Sequence, residues 1–192
     1  MLEKLPAGIG RILRGARPGP SELVFNDDAL AEVDDTLVVT SPAFADGEPL
    51  PARFTADGDG VSPPLRWAGV PEGTAEVVLL IEDADSPTPN PLVHAIVWRL
   101  PAEDGGLEEG AMPEETKVIG TPAMGVNSFL RVGYLPPDPP PGHGAHRYAF
   151  QVFALRLPLT IETAAPGRTE LVEALQISAI ARGMLIGSYE RE

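Results

Sequence analysis

Hydrophobic positions in this chain fall in short runs separated by proline and glycine, a spacing suited to strands rather than to long helices. Leu37-Val38-Val39-Thr40, Leu65-Arg66-Trp67, Glu76 to Ile81 and Val93 to Leu100 are brief and rich in β-branched or aromatic residues. Turn formers bound them, so each predicts a strand. Arg53-Phe54-Thr55 and Thr116 to Gly120 predict two further extended pieces, and Met184 to Tyr189 a closing strand. Arg147 to Leu155 alternates bulky with small or polar residues, the clearest strand pattern of all. Helical spacing is confined to two places. Leu171, Val172, Leu175, Ala179 and Ile180 predict a helix over Arg168 to Arg182 with Gly183 as its stop, and Leu2, Leu5, Ile9, Ile12 and Leu13 predict a short amphipathic helix. The pattern as a whole is mainly β.

Composition sharpens this. With 22 prolines and 20 glycines among 192 residues, long ordered loops are expected, and the length suits one domain with a sizeable core, or one domain plus an arm. Hydrophobic residues make up 43% and mean hydropathy is zero, an ordinary soluble composition. The net charge of −14 repels nucleic-acid phosphates and anionic membrane surfaces. No apolar run is long enough to span a bilayer, so no stable membrane insertion is expected. The absence of cysteine excludes disulfides, thiolate catalysis and cysteine-ligated zinc. No signal-peptide core is legible near the N-terminus, so the cytoplasm is the expected compartment.

Charge is also unevenly placed. Lys4, Arg11, Arg14 and Arg17 face only Glu3 in the first twenty residues, while the remainder is strongly acidic. Residues 1–35 therefore predict an arm whose cations meet the acidic body of this subunit or of a neighbour, with residues 36–192 as the domain proper.

The richest chemistry lies between two strands. The run ending at Ile81 continues into Glu82-Asp83-Ala84-Asp85, passes through the proline-rich Ser86 to Pro91, and re-enters a strand near His94. Proline cannot serve inside a ladder, so Asp83, Asp85 and His94 meet at one rim of a sheet. Strand alternation would put Asp83 and Asp85 on one face, where two carboxylates need donors, water or a ligand. The long irregular stretch Thr121 to Pro141 runs into Gly142-His143-Gly144-Ala145-His146-Arg147-Tyr148, and a loop of that length in a compact domain points to function. His143 reads as a loop residue near the rim. Ala56 to Pro64 resembles a calcium loop only superficially, because the ligand spacing and closing glutamate are missing.

Four elements together resemble the phosphatidylethanolamine-binding protein (PEBP) family, in particular its bacterial Raf-kinase-inhibitor-like branch. They are Asp83-Ala84-Asp85-Ser86-Pro87 followed by His94; Gly144-Ala145-His146-Arg147-Tyr148 after Pro139-Pro140-Pro141-Gly142-His143; Asp57-Gly58 through Ser62-Pro63-Pro64-Leu65-Arg66-Trp67; and a closing helix followed by Gly187-Ser188-Tyr189. The resemblance covers about Thr36 to Glu192. It implies two packed, antiparallel-rich sheets of Greek-key type, with one or two helices near the C-terminus and a small anion pocket at one end.

Carried over by position, Asp83, Asp85, His94, His146 and Tyr148 would line that pocket, with Pro140, Pro141 and Gly144 in the loop beside it. Arg147, between two pocket residues, should point away and hold structure against an acidic side chain. The aspartates make sense as orienting partners of the imidazoles. Val93 and Ala95 flank His94 where the family often places tryptophan, which implies a more open wall. The function implied is a weak, pH-sensitive site for phosphate or a phosphorylated head group, in a binding protein that regulates a protein partner such as a kinase or protease. Homodimerisation is implied as well, and no cofactor. The residues alone leave two other readings open: a hydrolase using His94 or His146 as base, and a metal site built from His94, His143, His146 and Asp83. Against the first, no Gly-x-Ser-x-Gly or His-Glu-x-x-His element is present.

Overall fold

The computed structural model describes residues 7–115, 122–160 and 165–191. In chain order these hold helix α1 (Ala7–Leu13), strands β1 (Asp34–Asp35), β2 (Val38–Thr40), β3 (Leu65–Ala68), β4 (Glu76–Asp83), β5 (Leu92–Leu100), β6 (Gly105–Leu107), β7 (Ala123–Met124) and β8 (His146–Leu155), helix α2 (Arg168–Ser178) and strand β9 (Ala179–Tyr189). The strands form two sheets, one ordered β1-β9-β8-β4-β5-β7 and a smaller one ordered β2-β3-β6. All strand pairs are antiparallel except β1 with β9.

β4 lies at the centre, and all eight of its residues are buried. Its alternate side chains serve two cores. Val77, Leu79 and Ile81 pack with Val39, Leu65, Trp67 and Leu107 of the small sheet. Val78 and Leu80 pack with Leu171 and Leu175 of α2, and with Val24 and Leu30 of the segment before β1. A strand covered on both faces has no polar side, which is why this run shows no alternation. Trp67 and Trp98 are core residues, each 3% exposed.

Residues 20–30 are three single 3₁₀ turns whose Val24, Phe25 and Leu30 are buried. This stretch, predicted to belong to an arm, is therefore built into the body from Pro20 onward. The buried Glu82 carboxylate anchors it by accepting from the Val24 N–H at 2.9 Å, Gln151 Nε2 at 3.0 Å and Arg168 Nε at 2.7 Å.

Two local expectations differ from the structure. Ala52–Phe54 is a 3₁₀ turn rather than an extended piece. α2 stops at Ser178, and Ala179, Ile180 and Arg182 belong to β9, where Gly183 is mid-strand rather than a helix stop. A Cβ at Gly183 would sit 2.0 Å from the Leu37 carbonyl oxygen, so glycine here serves close backbone approach. The strand predicted over Thr116 to Gly120 lies outside the described residues. Among the described residues no helix is long and apolar enough to cross a membrane.

Candidate functional site

The β4–β5 and β8 strand ends meet at one rim. Asp83, the last residue of β4, lies opposite Tyr148 on β8 and Leu92 on β5. Its Oδ1 accepts the Asp85 N–H at 2.8 Å, which closes the following turn, and its Oδ2 is 2.7 Å from His146 Nδ1. His146 Nε2 is in turn 2.7 Å from His143 Nδ1, and His143 Nε2 is 2.8 Å from the carbonyl oxygen of Leu13, at the end of α1. His143, read as a loop residue near the rim, is fully buried there: the arm covers it, with the Leu13 carbonyl on Nε2 and Arg17 Nη2 3.4 Å from Nδ1.

Leu13 can only accept, so His143 Nε2 carries a hydrogen and donates to it. Each nitrogen of the two rings has a partner, and both oxygens of Asp83 are engaged within the protein.

His94 is 3% exposed on the neighbouring strand β5. Its Nδ1 donates to the Leu135 carbonyl at 2.6 Å, while Nε2 meets no partner. Burial lowers its pKa, outweighing Asp83 and the Leu135 carbonyl, which act the other way. Burial likewise lowers that of His143 against the pull of the Leu13 carbonyl. The Tyr148 ring packs edge-on to His94 at 5.1 Å between centroids, and its hydroxyl is buried without a partner. Burial first, then Asp83, pushes the Tyr148 pKa well up, so the hydroxyl keeps its proton.

These groups border a cavity of about 180 Å³. Asp83, His94, His146 and Asp138 supply its ionisable side chains, Pro87, Leu92, Phe129, Leu135, Pro136 and Pro140 its apolar wall, and Ser86 and Thr88 complete it. Of the eight residues predicted for the site, Asp83, His94, Pro140 and His146 line this cavity; Asp85, Pro141, Gly144 and Tyr148 do not. Tyr148 stands just behind His94. Gly144, at φ +99°, faces the Arg17 guanidinium.

Asp85 is turned away because its oxygens are taken. It accepts from the Arg147 backbone N–H at 2.9 Å, from Arg147 Nε and Nη2 at 2.7 Å each, and lies 3.1 Å from Arg17 Nη1. Burial raises its pKa, but the hydrogen bonds from Arg147 and Arg17 outweigh that and hold it below the usual carboxylate range. Arg147 thus points away from the cavity and pairs with an acid, as its place between His146 and Tyr148 predicts.

Four residues outside the predicted set also contribute. Arg17 also donates to the His143 and Ala145 carbonyls at 2.6 and 2.7 Å, so it clasps the loop that carries the histidines. Arg191 donates to Asp138 at 2.6 Å and to the Pro139 carbonyl at 3.0 Å, while its own carbonyl accepts the Gly142 N–H at 3.1 Å, so it pins the cavity loop. Phe129 and Leu135 come from the long loop whose length alone was the signal.

Two stacked sheets with a small histidine–aspartate cavity at the strand ends define a mainly β protein. Comparison with known proteins is specific. A family model described as phosphatidylethanolamine-binding protein matches residues 40–190, and the chain belongs to that family. A UPF0098 protein of Aquifex aeolicus is 37% identical over 170 residues, covering 88% of this chain and 98% of that protein. Among solved structures, the PEBP homologue CT736 of Chlamydia trachomatis is 32% identical with a TM-score of 0.72, over 83% of this chain and all of that one. YbcL of Escherichia coli, described as a member of the mammalian PEBP family, is 28% identical with a TM-score of 0.74, over 82% of this chain and 99% of its own.

Proposed function

We propose that this protein is a soluble binding protein whose cavity holds a small anion, phosphate or a phosphorylated head group. The observation that carries the reading is His94: a buried ring on the cavity wall with one nitrogen committed to Leu135 and the other left without a partner. Buried polar atoms are ordinarily hydrogen-bonded, so an orphan beside a cavity marks a place for a ligand atom. Both Asp83 oxygens are engaged, by the Asp85 N–H and by His146 Nδ1, which weakens the objection that a carboxylate would repel an anion. The size of the cavity, about 180 Å³, suits a head group rather than an acyl chain.

Binding is favoured over hydrolysis by the two nearby serines. Ser86 Oγ is bonded to Thr88 Oγ1 at 2.6 Å and Ser128 Oγ accepts the Val93 N–H at 2.8 Å; neither is bonded to an imidazole that could activate it. We place the protein in the cytoplasm as a homodimer acting on a protein partner, a reading that light scattering and affinity capture test directly.

The test of the pocket is a titration with phosphate and phosphoethanolamine followed by NMR of the histidine rings. Saturable shifts at His94 and His146, weakened by His94→Ala, are the expected result. Unmoved rings at concentrations of tens of millimolar would refute the reading.

A further inference from the structure

The His94 ring sets a chemical condition on whatever enters the cavity. Its Nδ1 hydrogen is spent on the Leu135 carbonyl at 2.6 Å. A neutral ring then presents a lone pair at Nε2, and among the described residues no donor reaches that atom. The ring is 3% exposed, and burial disfavours a second proton. An oxyanion also presents lone pairs. Two acceptors repel, so a hydrogen must lie between Nε2 and the ligand oxygen.

We propose that the cavity takes up its anion together with one proton, shared between His94 Nε2 and an oxygen of the ligand. This rests on the reading of the cavity as an anion site. It narrows the ligand class to oxyanions that bind as their hydrogen-bearing form or that protonate the ring on entry. No bond other than O–H or N–H is made or broken, and solvent supplies the proton where the anion does not already carry it.

The charged and titratable groups around His94 are consistent with uptake at this ring rather than elsewhere. From β4 comes Asp83 and from β8 come His146 and Tyr148, with Asp138 from the loop after Leu135. Asp83 is bonded to His146, whose other nitrogen is bonded to His143, and Asp138 is paired with Arg191, so these polar atoms already have partners. Tyr148 keeps its proton, and it stands behind His94 rather than on the cavity wall. In the empty cavity desolvation outweighs the attraction of the two carboxylates for a second proton. An arriving anion adds negative charge at contact distance and completes the missing hydrogen bond, which reverses the balance.

The experiment is isothermal titration calorimetry of the full chain at about pH 8, where the unperturbed imidazole is neutral. Sulfate, inorganic phosphate and phosphoethanolamine are each titrated in two buffers of different ionisation enthalpy. Sulfate and phosphoethanolamine carry no hydrogen on oxygen near pH 8, so their heats should differ between buffers by about one buffer ionisation per anion bound, with affinity falling about tenfold per pH unit in this range. Inorganic phosphate, mostly HPO4²⁻ there, brings its own hydrogen and should bind with little buffer dependence. Uptake with sulfate assigns the proton to the ring, whereas uptake with phosphoethanolamine alone assigns it to the ligand oxygen; both support the proposal. His94→Gln offers an amide donor that does not titrate, so whatever sulfate binding it retains should show no buffer dependence. Saturable binding of sulfate and phosphoethanolamine with equal heats in both buffers would overturn proton uptake while leaving the anion site intact. Absence of binding by any of the three would instead overturn the anion reading itself. Should the variant fail to fold, the two-buffer measurement on the unsubstituted chain still decides.

Discussion

Asp85→Asn tests whether the Asp85 carboxylate is a clamp for the site rather than a contact within it. The side chain is fully buried and takes three hydrogen bonds from Arg147, backbone and guanidinium, plus the Arg17 contact. Asparagine keeps the shape but turns one oxygen into a donor that faces donors. Removing one partner of a buried ion pair costs about 3–5 kcal/mol when the other stays dry. Here the guanidinium side chains are 44% and 23% exposed and can recover water, so the figure is discounted to about 2–3 kcal/mol, much of it from the Arg147 N–H left short of an acceptor. At roughly 2–4 °C per kcal/mol for a chain of this length, the melting temperature should fall by about 4–12 °C. The sign with pH follows from the depressed pKa of Asp85. Its contribution is complete above the unfolded-state value of about 3.9 and is lost as pH falls through the lower folded value. The gap between the unsubstituted and Asp85→Asn proteins, read by thermal circular dichroism, should therefore be full at neutral pH and shrink on acidification below about pH 4. A melting temperature within about 1 °C of the parent at pH 7, or a gap that does not change with acid, would refute the clamp.

Further outcomes follow from the same contacts. A Cβ added at Gly10 would lie 2.1 Å from the Pro141 carbonyl oxygen, so Gly10→Ala should lift α1 from the 141–143 loop. Amide exchange at Gly19, whose N–H is bonded to the Ala84 carbonyl, should then quicken at least tenfold, and unchanged exchange would count against the docking. His143→Ala removes the middle of the Asp83-to-Leu13 chain and should also speed exchange at Gly19; a silent variant would show that the chain does not hold the arm. Arg191→Ala leaves the 138–142 loop without its pin and should weaken phosphate binding several-fold in the NMR titration, with undiminished affinity as the contrary result. Glu82→Ala strands the Val24 N–H and the Gln151 amide in the core, and chemical denaturation should show a loss of about 2–5 kcal/mol, against which a loss under 1 kcal/mol would argue.

Much of the architecture and part of the cavity were legible along the chain. The unbroken apolar run before Asp83, the prolines after it and the alternation through Phe150 and Val152 are local signals, and local backbone geometry answers to them. They were enough to bring Asp83 and His94 to one rim, and the family resemblance added His146. Arg147 is the same kind of inference: one step along a strand reverses the face, and the guanidinium indeed leaves the cavity. Asp85 shows where such reasoning ends. Alternation holds only while the strand does, and β4 ends at Asp83, so the residue two further on is governed by a turn and by two arginines. Gly183 looks like a helix stop until Leu37, far away in sequence, is seen pressing on it.

What the chain alone determined about this protein is its longer strands, the family pattern they follow, and the residue types present at the site. The tertiary structure decided which of those residues are free to act. A buried polar group takes the nearest available donor or acceptor whatever its distance in sequence, and so Leu13 could claim His143, and Arg17 could share Asp85 with Arg147. His94 Nε2 was left unclaimed for the same reason: packing brought a carbonyl to one nitrogen of the ring and a cavity to the side chain, but no donor to the other nitrogen.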